Sequence, residues 1–330
     1  MNKNHILLTI ITSISIFLNS NAFAGSYSIK DLGTLGGNHS YASALNNNGI
    51  VVGLSNTTSG TNSAYIYENR TMTEITNNID NTFSTARDIN DSNTVLVSIL
   101  SNSFIHQNGV NTYLNFSAGL VEINNSGQII GKTNTGVLGE PGYAFLYENG
   151  VVTRLDTLVG LTDITPLAIV DDGTIALSSN GITYLYHNNN LVNLPFNGFM
   201  DMSNQLQILC LYIDTDGKRN VCRYQNDVME MLGDYNGLDT WMVSINNQGS
   251  AAGYAILEDV IRVPFQPFYN KVAVMMMPDG SIVNLNNLKM HGAKFDTLLE
   301  AYDINESGQI VGTGLINGEV HGFLLTPPNR

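Results

Sequence analysis

The phrase "LNNNGIVVG" (45–53) is written again near the far end of the chain as "INESGQIVG" (304–312). In both, an apolar residue is followed by Asn, two polar residues and Gly, and an aliphatic pair comes next. That order describes a β-hairpin. The Asn side chain accepts from backbone N–H groups of its own turn, the Gly takes a positive φ, and the β-branched pair starts the return strand.

Two more clear copies, "INNSGQIIG" (123–131) and "INNQGSAAG" (245–253), lie between them. "INDSNTVLV" (89–97) keeps the pattern without the glycines, while "IVDDGTIAL" (169–177) and "MSNQLQILC" (202–210) are degenerate. The seven copies recur at a mean step of about 43 residues. Aromatic strands such as "SAYIYEN" (63–69) and "YAFLYENG" (143–150) follow, then a turn and a fourth strand such as "RTMTEIT" (70–76) or "GVVTRLDTL" (150–158). Four short strands per unit predict an all-β fold, a β-propeller of seven four-stranded blades. A parallel β-helix would repeat at a shorter step, and a two-sheet sandwich has no need of seven equivalent units.

The last unit supplies three strands, 301–305, 309–313 and 321–326, and then the chain stops. Its missing fourth strand is predicted at the other end, in "YSIKDLG" (27–33), with 27–32 pairing against 321–325. Such a closure leaves no open sheet edge in the ring. Ahead of it stand Lys3, an apolar stretch at 6–18, and the small-x-small triplet Ala22-Phe23-Ala24. These are the parts of a signal peptide cleaved near Ala24, and the apolar stretch is short for a membrane span. The expected organisation is therefore a signal peptide (1–24) and one propeller domain (25–330), secreted or periplasmic.

"DLGTLGG…ALNNNGIVVG" (31–53) and "DINESGQIVG…HGFLL" (303–325) resemble the bacterial extracellular HAF-repeat family, whose β-propeller-like repeats carry a His-Ala-Phe triplet in the third strand. The triplet has drifted here to Ser63-Ala64-Tyr65, Tyr143-Ala144-Phe145 and His321-Gly322-Phe323. The resemblance implies export and a repeat fold; it implies no active site.

The formal net charge of −14, with few charged residues, disfavours nucleic acid and anionic membranes as partners. Cys210 and Cys222 are the two cysteines of a chain bound for an oxidising compartment. Each lies six residues from Asp216, the midpoint of a predicted hairpin, so they are expected to face each other and form a disulfide.

"DINESG" (303–308) and "DINDSN" (88–93) have the alternating oxygens of a calcium loop, but Ser307 and Ser92 replace its third carboxylate. Plain turns are expected, and no metal. The histidines stand singly without zinc spacing, and "LGTLGGN" (32–38) lacks the Lys-Ser/Thr of a phosphate cradle. No cofactor is expected.

Candidate binding chemistry gathers in the connections between blades, which share one rim with the loops joining second and third strands. "GGNHSY" (36–41), "GLTD" (160–163), "GDYNGLDTW" (233–241) and "KMHGAKFDT" (289–297) offer His39, Asp163, Asp234, Tyr235, Asp239, Trp241, His291, Lys294 and Asp296. A long loop in the sixth unit (254–271) adds Arg262, Phe265, Phe268 and Tyr269, residue types enriched at interfaces. The expected binding set is His39, Tyr235, Asp239, Trp241, Arg262, Phe265, Phe268, Tyr269, Lys294 and Asp296. The expected function is a monomeric binding module for a glycan or protein partner, without assigned catalytic residues. The rivals are a secreted carbohydrate-active enzyme using rim carboxylates, and a structural envelope protein.

Overall fold

The computed structural model describes residues 25–328 except 76–82, 100–102, 115–117, 134–141, 214, 216, 218 and 258–270. The described residues form seven sheets, six of four antiparallel strands and one of five that includes a single parallel pair. Blades 1 to 6 span 36–74, 84–113, 118–154, 164–193, 199–233 and 240–284, and blade 7 is built from 297–326. This is the seven-bladed propeller that the repeated phrase predicts.

Blade 7 is completed by Tyr27–Asp31, which runs antiparallel to Glu319–Thr326 in the register Ser28↔Thr326 to Asp31↔Phe323. A short strand, Met290–Gly292, pairs in parallel with the outer edge of Tyr27–Asp31, from Tyr27↔Met290 to Ile29↔Gly292. The closing strand is therefore held on both sides. The sequence reading assigned 289–297 wholly to the rim, and a three-residue strand carries too little alternation to be read otherwise. A second difference is local: the strand expected at 150–158 ends at Arg154, and Leu155–Val159 forms one helical turn with Leu155 fully buried.

Each first strand is innermost in its sheet and carries a β-bulge at the same place, for example between Ala42 and Ala44 and between Ala301 and Asp303. The bulge drives a carbonyl toward the facing strand. A Cβ on Gly53 or Gly312 would lie 1.9 or 2.0 Å from the carbonyl oxygen of Tyr41 or Glu300. The last glycine of the phrase is there to admit this approach.

The third residue of the drifted triplets is the core anchor: Tyr65, Phe145 and Phe323 are fully buried. Tyr65 differs by one atom, a buried hydroxyl with no hydrogen-bond partner among the described residues. Leaving such a group unpaired costs about 1–3 kcal/mol. Tyr65→Phe is accordingly expected to raise the melting temperature, and a drop measured by calorimetry would show that the hydroxyl has a partner.

Candidate functional site

At one mouth of the axial channel the seven copies of the phrase meet. In the turn itself Asn46 Oδ1 accepts from the N–H groups of Asn48 and Ile50 at 3.1 and 3.0 Å, the local role its sequence implies. Its amide nitrogen does something else: it donates to the Asn90 carbonyl of the next blade at 3.1 Å. Asn90 reaches Asn124 O (3.1 Å), Asn124 reaches Val170 O (2.9 Å), Asn246 reaches Asn305 O (3.0 Å), and Asn305 returns to Asn46 O (3.0 Å). Val170 and Ser203 occupy the Asn position in blades 4 and 5 and break this belt.

The next residue of each phrase forms a second belt, and this one closes, with Gln205, one place further on, taking over as donor in blade 5. Asn47 N–H donates to Asp91 (2.8 Å), Asp91 N–H to Asn125 (2.8 Å), Asn125 N–H to Asp171 (2.8 Å) and Asp171 N–H to Asn204 (2.7 Å). Gln205 N–H continues to Asn247 (3.1 Å), Asn247 N–H to Glu306 (3.2 Å) and Glu306 N–H to Asn47 (2.9 Å). Every blade junction is bridged.

A third belt precedes the Asn by two residues. Asp88, Glu122, Asp201 and Asp303 accept the N–H of Ile123, Ile169, Ile245 and Leu45 in the following blade at 2.8, 3.0, 2.8 and 2.9 Å. Ser244 donates its hydroxyl to Asp303 at 2.7 Å. Asp88 and Asp303, the first acids of "DINDSN" (88–93) and "DINESG" (303–308), thus accept from backbone amides. Glu122, Asp201 and Asp303 also border an axial cavity of about 160 Å³ formed by all seven phrases.

Each of the four carboxylates is half-buried beside the axis. Burial is the main cause that raises the pKa of all four, to about 6 for Asp88 and about 7 for Asp201, with mutual repulsion adding for Asp88, Glu122 and Asp201. Backbone N–H donors to the carboxylates oppose the shift.

Beyond the acids, toward the opposite mouth, the bulged residue of each first strand lies unpaired: Ser43, Arg87, Val121, Leu167, Met200, Val243 and Tyr302. Arg87, Val121 and Val243 are exposed, the last two at 40% and 37%. A first strand has a blade on either side, so its open surface faces the channel.

The rim on the connection side holds the expected binding residues, and the structure sorts them. Asp239 pairs with Arg219 at 3.1 Å, and the Arg219 guanidinium lies 5.6 Å from the Trp241 ring centroid. Trp241 stands directly opposite Tyr254 on the neighbouring strand, and Lys271 Nζ lies 4.3 Å from the Tyr254 ring. Lys271 continues to Glu300 at 2.5 Å, and Glu300 accepts from the Tyr302 hydroxyl at 2.5 Å. The indole nitrogen of Trp241 is buried without an acceptor among the described residues.

Tyr235 is half-buried in a turn beside this group and packs against the core between blades 5 and 6. His39 is exposed at the seam of blades 7 and 1, where its ring nitrogen meets Val320 N–H at 3.4 Å. Lys294 and Asp296 are exposed on the segment entering blade 7, and no hydrogen bond or ion pair joins them to His39. His291 is moved away: it sits on the outer edge strand, 3.1 Å from the Ser26 hydroxyl. Arg262, Phe265, Phe268 and Tyr269 lie outside the described residues.

Away from the rim, Cys210 and Cys222 face each other in register on adjacent strands of blade 5, joined by a disulfide with a Cα separation of 4.9 Å.

No protein-family model and no curated protein matches this chain. Solved structures do resemble it in fold. The extracellular domain of a hybrid two component system from B. thetaiotaomicron superposes with a TM-score of 0.58 at 12% identity, over 92% of this chain. This chain spans 40% of that longer domain's length. The β-propeller domain of the Trilobed protease from Pyrococcus furiosus gives 0.53 at 10% identity, covering 88% of this chain and 96% of that one. That domain is described as having an open velcro topology, whereas here Tyr27–Asp31 closes blade 7. At such identities the likeness is one of fold alone.

Proposed function

We propose that the protein is an exported binding module of the HAF-repeat type, and that its recognition face is the rim around Trp241. The observation carrying this reading is the cross-strand pair Trp241 and Tyr254, flanked by Arg219 and Lys271 over their rings. A half-exposed indole beside an Arg–Asp pair matches a sugar: the ring stacks on its C–H face while the charged pair orients its hydroxyls.

A hydrolase would need two carboxylates flanking one bond. Asp239 is occupied by Arg219, and Asp296 belongs to the entry into another blade. The signal-peptide pattern supports export, and no described helix is long and apolar enough to cross a membrane.

Trp241→Ala tests the reading. Binding to a glycan panel is expected to fall tenfold or more, with the melting temperature little changed. A stability loss of about 3–5 kcal/mol, as for a core aromatic, would assign Trp241 to the scaffold instead.

A further inference from the structure

On the face that carries the phrase turns, the seam between blades 7 and 1 holds a groove of about 350 Å³. Its floor is apolar: Ile50, Tyr67 and Leu324 are 5%, 6% and 7% exposed. Beside the floor stand Lys30, on the closing strand opposite Leu324, and Arg70, in the turn joining the last two strands of blade 1. Lys30 Nζ lies 5.9 Å from the centroid of the Tyr67 ring. Burial raises the Tyr67 pKa and the nearby Arg70 charge opposes it, so the two cations flank one side chain. Neither cation makes a hydrogen bond or ion pair among the described residues, in a chain with 28 Asp and Glu against 14 Lys and Arg. Glu68, which also lines the groove, pairs with neither, and Asp31 is engaged by His321 (2.9 Å) and Gly33 N–H (2.8 Å).

Arg70 is also held in a conformation that its residue type disfavours. Its φ is 67°, at the second central position of a two-residue hairpin turn. The equivalent turns of blades 2, 3, 4 and 5 place Gly109, Gly150, Asn189 and Asp227 there, the residue types that tolerate positive φ. An arginine kept at such a position points to a function of its side chain.

We propose that this groove binds a phosphate monoester, with the phosphoryl group between Lys30 and Arg70 and the organic body on Ile50, Tyr67 and Leu324. Two cations from separate strands match the nearly double negative charge of such an ester at neutral pH. The guanidinium of Arg70 adds two parallel N–H donors, a geometry suited to phosphate oxygens. A carboxylate or a sulfate ester brings a single charge and offsets the repulsion from Glu68 less well. The Tyr67 hydroxyl, without a hydrogen-bond partner among the described residues, and the Asn69 side-chain amide are neutral donors at the same groove. The site exists only in the closed ring, because Lys30 comes from the N-terminal strand, Leu324 from blade 7, and Tyr67 and Arg70 from blade 1. It lies away from the Trp241 rim and does not depend on glycan binding there.

Calorimetric titration of the purified protein compares phenyl phosphate, phenyl sulfate, benzoate and benzylamine, which share an aromatic body and differ in charge. Phenyl phosphate is expected to bind most tightly and benzylamine not at all. Lys30→Gln and Arg70→Gly should each weaken phenyl phosphate roughly tenfold or more, and Arg70→Lys should keep part of the affinity. Arg70→Gly has a second readout. Glycine accepts the positive φ, so this variant should melt at or above the parent temperature while losing the ligand. It also keeps the test valid if Lys30→Gln loosens the closing strand. A marked fall in the melting temperature of Arg70→Gly would assign its side chain to the scaffold and overturn the proposal. Tightest binding by a monoanion or by benzylamine, equal phenyl phosphate affinity in Arg70→Gly, or no phenyl phosphate binding at millimolar concentration would overturn it as well.

Discussion

Removal of residues 25–34 is expected to abolish the stable fold or drive the protein into aggregates. The deletion takes away Tyr27, Ile29 and Leu32, which are 5%, 4% and 4% exposed. At about 1.5–3 kcal/mol for each buried side chain, the loss is roughly 5–9 kcal/mol. That compares with a total stability of about 5–15 kcal/mol for a typical domain. The deletion also strips the outer edge of Glu319–Thr326, frees Met290–Gly292, and removes the Asp31 carboxylate 2.9 Å from His321. An exposed edge of that length is a template for pairing between molecules. Thermal melts and size-exclusion chromatography read both effects. Ile29→Ala, a milder lesion opposite Leu325, should cost about 2–5 kcal/mol and remain soluble. A deletion variant that melts like the parent would refute the closure.

The protein is also expected to be more stable at pH 5 than at pH 8, the reverse of ordinary acid denaturation. The sign follows from the axial acids. A carboxyl whose pKa is raised on folding binds its proton more tightly in the native state. Its contribution is full below the unfolded value near 4 and is lost as pH rises through the folded value. For Asp88 and Asp201 those folded values are about 6 and about 7, so the window runs from roughly pH 4 to pH 7. The Glu122 and Asp303 shifts act in the same direction. His321, raised chiefly by its bond with Asp31, adds stability that is likewise lost as pH rises through its folded value. Asp31 itself is lowered by the same bond despite the opposing effect of burial. Asp31 and Asp279 therefore oppose the trend, through contributions lost as pH falls toward and below 4. Because the acids retain some channel surface, the slope should be moderate rather than that of a dry interior. Calorimetric scans from pH 4.5 to 8.5 measure it. Asp88→Asn and Asp201→Asn keep an acceptor for Ile123 and Ile245 and should flatten the profile while raising stability at pH 8. A melting temperature that climbs with pH in the parent would reject this account.

Both predictions rest on features that were legible in the sequence to different degrees. The seven phrases, their step and the unfinished last unit determine the architecture, because a hairpin turn is a local object. Its Asn, its Gly and its β-branched pair sit within a few residues of each other and act on each other directly. The closing strand was legible for the same reason, as a missing fourth strand at one end and a spare one at the other. The cysteine placement followed from simple counting about a turn.

The site was less legible. Nothing in "DINESG" (303–308) says whether its acid will wrap a cation or turn to Leu45 N–H, since Leu45 is 258 residues away and only ring closure brings it within 2.9 Å. The same holds for the second role of each Asn: its amide donates to a carbonyl of the neighbouring copy, and a single copy cannot display its neighbour. The signal was there as repetition, with acids at 88, 122, 201 and 303 in one repeat position, but its meaning depends on the axis on which those positions converge. The bulge residues needed the tertiary structure most. A bulge is one unpaired residue in a strand whose sequence reads as regular alternation, and it becomes visible only in the register of the paired strands. Sequence alone determined the ring, because local chemistry repeated at a fixed step can close in few ways. The tertiary structure decided what faces the axis, because convergence of seven distant segments is a property of the closed ring and of no segment in it.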